Sequence, residues 1–373
     1  MRTRAVLFAL AAGLLAAGCG TSSGLQVENN GQTTPIVKPA GSQPQVDSLD
    51  AVAFPDARDG WAAGQGAIIA TADGGATWTQ QYAGRADIRS LDFTDQRHGW
   101  AVASSSLLRT ADGGDTWTAA GEPPGLVLTG VAFADTDQGW GVALAAGKVG
   151  EPVPGTLVHT TDGGSTWSVV KPDIADSICL AGGDLVAGDG SKVLRSTDGG
   201  TTWSTLLDAG TNPQESWFSA TVQCPDLRSI WVLFQGGGAA GSQGYAAYAS
   251  GDGGVGWQPV LVAPMLAGSD PTFAGVTPLD AYSGPFAAVS ASTAVFLGTC
   301  PACNPQRVTV LRTHDGGTRW ARSTVDGFAP TGVAFADPAH GWMTALIGGT
   351  EGRRPAILAT VDGGRTWRPA YPS

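Results

Sequence analysis

Short apolar stretches, each bounded by Gly, Asp or Pro, follow one another along the chain from about residue 49 to residue 371. The first repeat contains four of them, at Leu49 to Phe54, Gly60 to Ala63, Ala67 to Thr71 and Thr77 to Gln81. Stretches of this length, alternating or continuously apolar, are typical of β-strands. The pattern therefore predicts four short antiparallel strands in each repeat.

The third strand of each repeat ends in the string Ser/Thr-x-Asp-Gly-Gly-x-Thr-Trp, which occurs seven times, with Gly256 and Arg319 replacing the second Thr in the fifth and sixth copies. A short Asp side chain accepts hydrogen bonds from backbone N–H groups of the same turn, and the glycines supply positive φ angles. The string thus predicts a tight hairpin turn. A structural turn can recur seven times in a repeat protein, whereas an active site would not be expected to. We therefore expect a structural role for the seven aspartates of these copies, which are Asp73, Asp112, Asp162, Asp198, Asp252, Asp315 and Asp362.

A second motif precedes each turn, an apolar triplet ending in Phe and followed a few residues later by Gly-Trp, as in Phe54 and Trp61. The fifth repeat keeps it loosely, with Cys224 in the Phe position and Trp231 in the Trp position, while the fourth and sixth repeats lack the Trp. Twelve of the thirteen tryptophans fall in the two motifs, and Trp217 is the exception.

Four strands repeated at a spacing of 36 to 63 residues are typical of propeller blades. Seven turns predict an all-β, seven-bladed β-propeller of four-stranded antiparallel blades over residues 49 to 371. The closure of the ring stays open, because each repeat contains all four of its strands and no split blade is evident.

The unit made by Gly99 to Ala103, Leu107 to Thr110 and the turn that follows resembles the BNR or Asp-box repeat. More particularly, it is similar to the photosystem II assembly factor family, whose members are seven-bladed scaffolds. The resemblance covers about residues 49 to 371 and implies assembly-type scaffolding. Sialidases, xyloglucan-type endoglucanases and sortilin-like receptors carry the same box, so it specifies the fold better than the function.

Residues 1 to 19 have the organisation of an export signal, with two arginines before the apolar segment Ala5 to Leu15, which is too short to span a bilayer. The segment ends in Leu-Ala-Ala-Gly-Cys, which resembles the lipobox of bacterial lipoproteins. In that family the Cys becomes the lipid-modified N-terminus, which implies a lipid on Cys19 and anchoring to the outer side of the cell membrane. An ordinary cleaved signal peptide is the alternative. Residues 20 to 48, polar and small, predict a flexible tether.

The charge composition of the chain argues against one class of partner, nucleic acids. The chain has 32 acidic and 21 basic residues, a net charge of −11. Nucleic-acid binding needs clustered Lys and Arg, so this balance argues against it. No metal-ligand spacing and no Ser/His/Asp arrangement stands out, and we expect a monomer without a metal or a cofactor.

In a four-stranded meander, the turns between strands one and two and between strands three and four emerge on one face. The seven Asp-box turns are therefore expected on one face, and the six long insertions on the other. Extended loops on a rigid scaffold are frequent binding sites. The insertions cover residues 145–155, 206–217, 236–243, 264–284, 300–306 and 347–355. The candidate binding residues in or beside the loops of this face are Glu122, Lys148, Glu151, Glu215, Trp217, Tyr282, Arg307, Glu351, Arg353 and Arg354, with ordinary solvated loop charge as the alternative.

Four cysteines follow Cys19, and an even number in an exported protein indicates disulfides. Cys300 and Cys303 lie in one hairpin loop of the sixth repeat, where a bridge would staple the insertion. Cys179 and Cys224 occupy similar first-strand positions in adjacent repeats. A bridge between them and two buried free thiols are the alternatives.

These observations favour a non-catalytic binding or assembly scaffold for a protein or glycan on the extracytoplasmic side. The alternative is a glycoside hydrolase of the sialidase-like or related Asp-box type, although no catalytic set is identified and the Arg-Ile-Pro segment of sialidases is absent. Hydrolysis would need two carboxylates about 5 to 10 Å apart. The candidates are Glu122, Glu151, Glu215, Asp270 and Glu351.

Overall fold

The computed structural model describes residues 44–104, 106–148, 155–210, 217–239, 241–264, 266, 273, 275–300, 303, 307–348 and 353–371. Cys19, the predicted signal peptide and most of the predicted tether lie outside these ranges. Over the described ranges, no helix has both the length and the apolar character needed to cross a membrane.

The described chain is an all-β propeller of antiparallel meanders, as the sequence predicts. The first sheet comprises β1 (Ala51–Ala53), β2 (Gly60–Thr71), β3 (Thr79–Phe93), β4 (Gly99–Ala103), β5 (Ser106–Thr110) and β6 (Thr118–Ala119). The second comprises β7 (Leu126–Phe133), β8 (Gly139–Ala145), β9 (Gly155–Thr160) and β10 (Ser168–Ala175). The third comprises β11 (Ser177–Ala181), β12 (Asp184–Asp189), β13 (Lys192–Ser196) and β14 (Ser204–Asp208).

The remaining three sheets follow the same order from the inner strand to the outer strand. The fourth comprises β15 (Trp217–Gln223), β16 (Ile230–Ala239), β17 (Ser242–Ser250), β18 (Gln258–Val262) and β19 (Thr277–Pro278). The fifth comprises β20 (Tyr282–Ala288), β21 (Ala294–Thr299), β22 (Arg307–Thr313) and β23 (Ala321–Asp326). The sixth comprises β24 (Phe328–Phe335), β25 (Gly341–Ile347), β26 (Arg354–Thr360) and β27 (Arg368–Tyr371).

The predicted count of seven blades is wrong, because the described strands form six sheets. The cause is β3, whose 15 residues run without a break from the outer strand of the first repeat into the inner strand of the second. The first two repeats therefore share one sheet. In the same way, β2 contains the predicted second and third strands of the first repeat, joined at Gly66 with φ 69°.

Within each Asp box, the aspartate holds the turn together through side-chain hydrogen bonds. Asp162 accepts bonds from the Thr166 hydroxyl at 2.7 Å, the Thr166 backbone N–H at 2.8 Å and the Thr160 hydroxyl at 2.8 Å. These bonds, led by that of the Thr166 hydroxyl, lower the pKa of Asp162 to about 2. The two glycines of this turn have φ angles of 70° and 89°, which side chains with a Cβ resist.

A backbone bond joins most Asp boxes to the turn between strands one and two of the same repeat. Gly113 N–H, for example, donates to Arg97 O at 2.9 Å. Both kinds of turn therefore lie on one face, which we call the Asp-box face, and we call the opposite one the loop face. The same bond joins Gly74 to Arg58, Gly163 to Asp137, Gly253 to Arg228, Gly316 to Ser292 and Gly363 to Ala339.

Tryptophans connect each repeat to its neighbours. The indole N–H of Trp100 donates to Gly163 O in the next Asp box at 3.0 Å, and its ring stacks on Phe133 at 3.6 Å. In the opposite direction, the Asp-box Trp167 donates to Gly121 O of the preceding repeat at 3.1 Å. The stacked ring and the bond to the Asp-box glycine recur for Trp61 with Phe93 and Gly113, and for Trp342 with Phe54 and Gly74.

The ring closes between the last and first repeats by these same contacts. Trp342 stacks on Phe54 at 3.5 Å and donates its indole N–H to Gly74 O at 2.9 Å. Trp78 donates to Ala370 O at 3.0 Å. Among the described residues, no strand of the first repeat pairs with the last sheet. Closure therefore depends on side-chain packing and single hydrogen bonds instead of an exchanged strand.

The chain approaches the ring along the last repeat. The Tyr371 hydroxyl donates to Pro44 O, and Val46 packs with the cluster at the closure. Residues 44–48, predicted as the end of the tether, are therefore docked. They lead into β1 from the loop face, because inner strands run from that face towards the Asp-box face.

Two disulfides are present. Cys179 on β11 and Cys224 after β15 have Cα atoms 5.7 Å apart, and both side chains are fully buried between the fourth and fifth repeats. Cys300 and Cys303 have Cα atoms 5.3 Å apart in the loop between β21 and β22. The first bridge links two repeats, whereas the second is local.

A buried carboxylate adds a pH-dependent contact at the same repeat boundary. Asp176 accepts bonds from Gly190 N–H at 2.7 Å and Ala220 N–H at 3.1 Å. Burial raises the pKa of Asp176 to about 6, against the opposing effect of these two bonds, and Asp189 raises it further. The folded protein thus retains a proton between about pH 4 and pH 6 that the unfolded chain has lost.

We expect the stability contributed by Asp176 to fall as the pH rises from about 4 to about 6, because the folded-state pKa lies above the unfolded value. In Asp176→Asn, the free energy of unfolding relative to wild type should increase by about 1 to 3 kcal/mol from pH 4 to pH 7. Urea unfolding of both proteins at the two pH values measures this difference. A difference that does not change with pH would contradict the assignment.

Candidate binding surface

The described loop-face candidates lie at the hairpins between second and third strands, where the topology puts them. Lys148 lies in the turn after β8, and its backbone N–H donates to Ala145 O at 2.9 Å. Arg307 and Arg354 are exposed at the starts of β22 and β26, and Arg353 is exposed just before β26. Glu151, Glu215 and Glu351 lie outside the described residues.

Two other candidates lie elsewhere. Trp217 is only 9% exposed, packs in the core cluster that holds Cys179 and Cys224, and donates its indole N–H to Ala209 O at 3.2 Å. Its assignment to the binding face is wrong, because alternation along β15 directs this side chain inward. Glu122 follows Gly121, whose N–H donates to a carbonyl of the third Asp box. This bond puts the backbone at Glu122 beside that Asp box, away from the hairpins between second and third strands.

The most prominent feature of the loop face is the hairpin of β16 and β17. Eight residues of β16 follow Trp231, whereas β4 extends three residues beyond Trp100. This longer hairpin reaches the sixth repeat. Gln243 N–H donates to Ala281 O at 2.8 Å. The hairpin is thereby fixed against its neighbour.

Two partly exposed aromatic rings flank the hairpin. Phe218 is 50% exposed, and a Cβ at Gly237 would lie only 3.2 Å from its ring. A Cβ at Gly238 would lie 3.7 Å from the Tyr282 hydroxyl. Glycine at position 237 thus lets the hairpin pass close to Phe218, and the backbone at Gly238 lies beside Tyr282. We call Phe218, Gly237, Gly238, Gln243 and Tyr282 the extended rim.

A groove of about 560 Å³ lies beside the extended rim, between the fifth and sixth repeats. Arg322 donates to Pro278 O at 2.7 Å and to Leu279 O at 2.9 Å, which fixes one wall. Asp280 accepts a bond from the buried Thr309 hydroxyl at 2.6 Å. The residues lining the groove are Ser242, Pro264, Pro278, Leu279, Asp280, Ala281 and Arg322.

A central channel of about 540 Å³ runs along the inner strands. Its wall is largely formed by small side chains, and buried polar groups connect neighbouring inner strands around it. Asp92 accepts a bond from Phe133 N–H at 2.8 Å, and the Gln223 amide donates to Phe286 O at 2.8 Å. The charged residues of the lining are Asp50, Arg89, Asp92, Asp226 and Asp337.

The described residues contain no cluster of three or more His, Cys, Asp or Glu side chains that could hold a metal ion. Of the five carboxylates considered for glycoside hydrolysis, the structure describes only Glu122, whose pKa is raised by burial. That hypothesis stays a prediction. The geometry that is described, half-exposed aromatic rings beside a groove on a rigid ring, is typical of a binding surface.

The sequence model of the photosynthesis system II assembly factor YCF48 family matches residues 84–176 of the chain. The resemblance to this family is confirmed. Among solved structures, the chain is similar to YCF48 bound to a D1 peptide, with 17% identity, a TM-score of 0.58 and coverage of 88% of this chain and 97% of that one. No curated protein sequence matches.

Two solved enzymes share the fold. An ancestral GH74 enzyme has 12% identity and a TM-score of 0.56, covering 88% of this chain, which spans 55% of that enzyme. A PL25 ulvan lyase has 10% identity and a TM-score of 0.52, with coverage of 85% of this chain and 95% of that one. At these identities the similarity concerns the fold alone.

Proposed function

We propose that the protein is a non-catalytic scaffold that binds a segment of a protein partner through the extended rim. The observation that carries this proposal is the half-exposed Phe218 which, with the partly exposed Tyr282, flanks the hairpin of β16 and β17 on a rigid ring. Aromatic side chains that are fixed before binding lose little entropy and frequently supply the largest contributions to protein interfaces. The similar YCF48 structure, which has a D1 peptide bound, supports this class of partner.

The proposal includes a lipid on Cys19 and a location on the outer side of the cell membrane. Residues 44–48 dock on the last repeat and enter the ring from the loop face, which carries the extended rim. An anchor at the far end of the flexible tether would therefore connect the membrane to this face of the ring. The partner we propose is accordingly a membrane protein or a protein bound at the membrane surface.

Replacing Phe218 and Tyr282 together by Ser should reduce retention of the partner at least about tenfold, because loss of one or two aromatic anchors costs about 2 kcal/mol or more. The measurement is quantitative capture from detergent-solubilised membranes of the source cells. Val255→Ser is the matched control, because Val255 is 87% exposed on the Asp-box face, in the turn of the fifth repeat. We expect this variant to retain the partner as wild type does.

Equal losses in both variants would show that the extended rim is not the binding surface. Retention of a carbohydrate instead of a protein through the same two aromatic residues would overturn the proposed class of partner.

A further inference from the structure

We propose that β23, the outer strand of the sixth repeat, binds an extended acidic segment of a protein partner as an added β-strand. The inference rests on the proposed function as a protein-binding scaffold, and it adds a second contact whose chemistry can be tested separately. Exposed strand edges present a row of backbone donors and acceptors that another chain can pair with.

The edge of β23 is regular. Its six residues pair one to one with β22, from Arg307 opposite Asp326 to Arg312 opposite Ala321, without a bulge. It is the last strand of its sheet, and within the described residues no further strand pairs with it. Four of its six side chains are exposed. An uninterrupted ladder of this length keeps the outward backbone groups in line, as an added strand requires.

The direction of the backbone groups follows from the equivalent strand of the second repeat. There, Ala120, three residues after the Asp-box Trp117, donates its N–H inward to Leu107 O at 2.7 Å. The equivalent residue of β23 is Ser323. Antiparallel ladders alternate, so Thr324 directs its N–H away from β22.

Most other outer strands offer a shorter or interrupted row of outward backbone donors. Pro259 in β18 and Pro369 in β27 stand two residues after the Asp-box Trp, at a position with an outward backbone group, and proline has no N–H to offer. β10 contains Pro172 and two register irregularities. β14 contains an irregularity, and β6 has only two residues. β23 has none of these features.

The fifth repeat shows that an outer edge in this fold accepts another strand. There the chain itself adds β19, which pairs in parallel with β18 through Leu261 with Thr277 and Val262 with Pro278. β19, the fifth strand of this sheet, thus covers the edge of β18. β23 ends the next sheet around the ring and has no equivalent cover among the described residues.

Charge indicates the chemistry of the added strand. Residues 307 to 371 contain eight arginines and five acidic residues, a net charge of +3, whereas residues 1 to 306 contain 13 basic and 27 acidic residues, a net charge of −14. Arg319 precedes β23 with a side chain 89% exposed, Arg322 lies within it, and the exposed Arg307 is paired opposite its last residue. Two carboxylates lie among these arginines, because Arg319 is 3.5 Å from Asp315 and Asp326 is the last residue of β23, and Arg322 also donates to Pro278 O and Leu279 O. The three arginines outnumber these two carboxylates, which favours an acidic segment.

The test uses fluorescence anisotropy with a labelled octapeptide that alternates glutamate and valine, compared with one that alternates lysine and valine. We expect the glutamate peptide to bind at least about tenfold more tightly. Thr324→Pro removes one outward N–H and should weaken binding about tenfold. Thr205→Pro is the matched control, the same change on the outer strand β14, and should alter binding less than about twofold.

Two further measurements keep the test independent of folding defects. The double variant Arg307→Glu and Arg319→Glu leaves the backbone unchanged and should also weaken binding about tenfold, with a smaller salt dependence. Hydrogen exchange of wild type should slow in residues 321–326 when the glutamate peptide is bound.

Absence of binding by the glutamate peptide, equal affinity for the lysine peptide, or equal effects of Thr324→Pro and Thr205→Pro would each overturn the inference. If these results occur while the Phe218 and Tyr282 variant still loses its partner, the proposed function stands and only the β23 contact fails. If the glutamate peptide binds β23 as expected but the aromatic variant retains its partner, the assignment of the extended rim fails instead.

Discussion

Replacing Trp342 by Ala is expected to lower the free energy of unfolding by about 3 to 5 kcal/mol, as for other large aromatic side chains removed from a core. This tryptophan closes the ring, and its ring is stacked on Phe54 with its indole N–H bonded to Gly74. Its removal leaves a cavity and an unpaired carbonyl between the last and first repeats. Urea unfolding followed by fluorescence measures the loss.

Trp100→Ala is the matched control for that experiment, because Trp100 makes the same stacking contact and the same hydrogen bond between two internal repeats. We expect similar losses from the two substitutions. Only Trp342→Ala should increase proteolytic cleavage around residues 44–54, where the first repeat meets the last. A loss below about 1 kcal/mol for Trp342→Ala, beside a large loss for Trp100→Ala, would show that other contacts close the ring.

The second large effect concerns the disulfide between the fourth and fifth repeats. Replacing Cys179 and Cys224 by Ala should lower the free energy of unfolding by about 4 kcal/mol, because the bridge closes a loop with a sequence separation of 45 residues in the unfolded chain. Both residues are also fully buried, so water does not reach the two alanine side chains in the folded variant and does not compensate for the lost bridge. Urea unfolding under non-reducing conditions measures it.

The local bridge provides the control. Cys300 and Cys303 are three residues apart, so the same relation gives about 2 kcal/mol for their replacement by Ala. The order of the two effects is the prediction. A larger loss for the local pair would contradict the view that the bridge between repeats limits the unfolded chain most.

The strand order within a repeat and the positions of the Asp-box turns could be predicted from sequence because both depend on local chemistry. A turn with two positive φ glycines and an aspartate as acceptor forms in the same way wherever the string occurs. Sheet boundaries depend on the connections between repeats. Residues 82 to 88 contain no proline and only one glycine, so β3 continues through them and joins two repeats in one sheet.

The site was harder to predict, because two adjacent aromatic residues of a strand point to opposite faces of its sheet. The sequence places Trp217 and Phe218 side by side, and the prediction that Trp217 is the exposed one is wrong. The structure buries Trp217 beside the disulfide and exposes Phe218. Burial depends on the neighbouring repeat, which the local sequence does not specify.

The outer strands of the repeats differ in one position that the sequence shows. Proline occurs two residues after the Asp-box Trp at Pro259 and Pro369, whereas Arg322 occupies that position in the sixth repeat. Four other repeats have Gln80, Ala119, Val169 and Thr205 at this position, so the proline identifies β18 and β27 but does not separate β23 from the remaining outer strands. The charges of Glu122 and the loop arginines carried less information.

The most direct test of binding at the extended rim is photo-crosslinking in intact cells. Benzoylphenylalanine replaces Phe218 in one variant of the protein and Val255 in a second variant. We expect a discrete covalent adduct with a partner protein from position 218 and none from position 255 on the Asp-box face. Adducts from position 255 alone would contradict the account, because they would place the partner on the repeated turns.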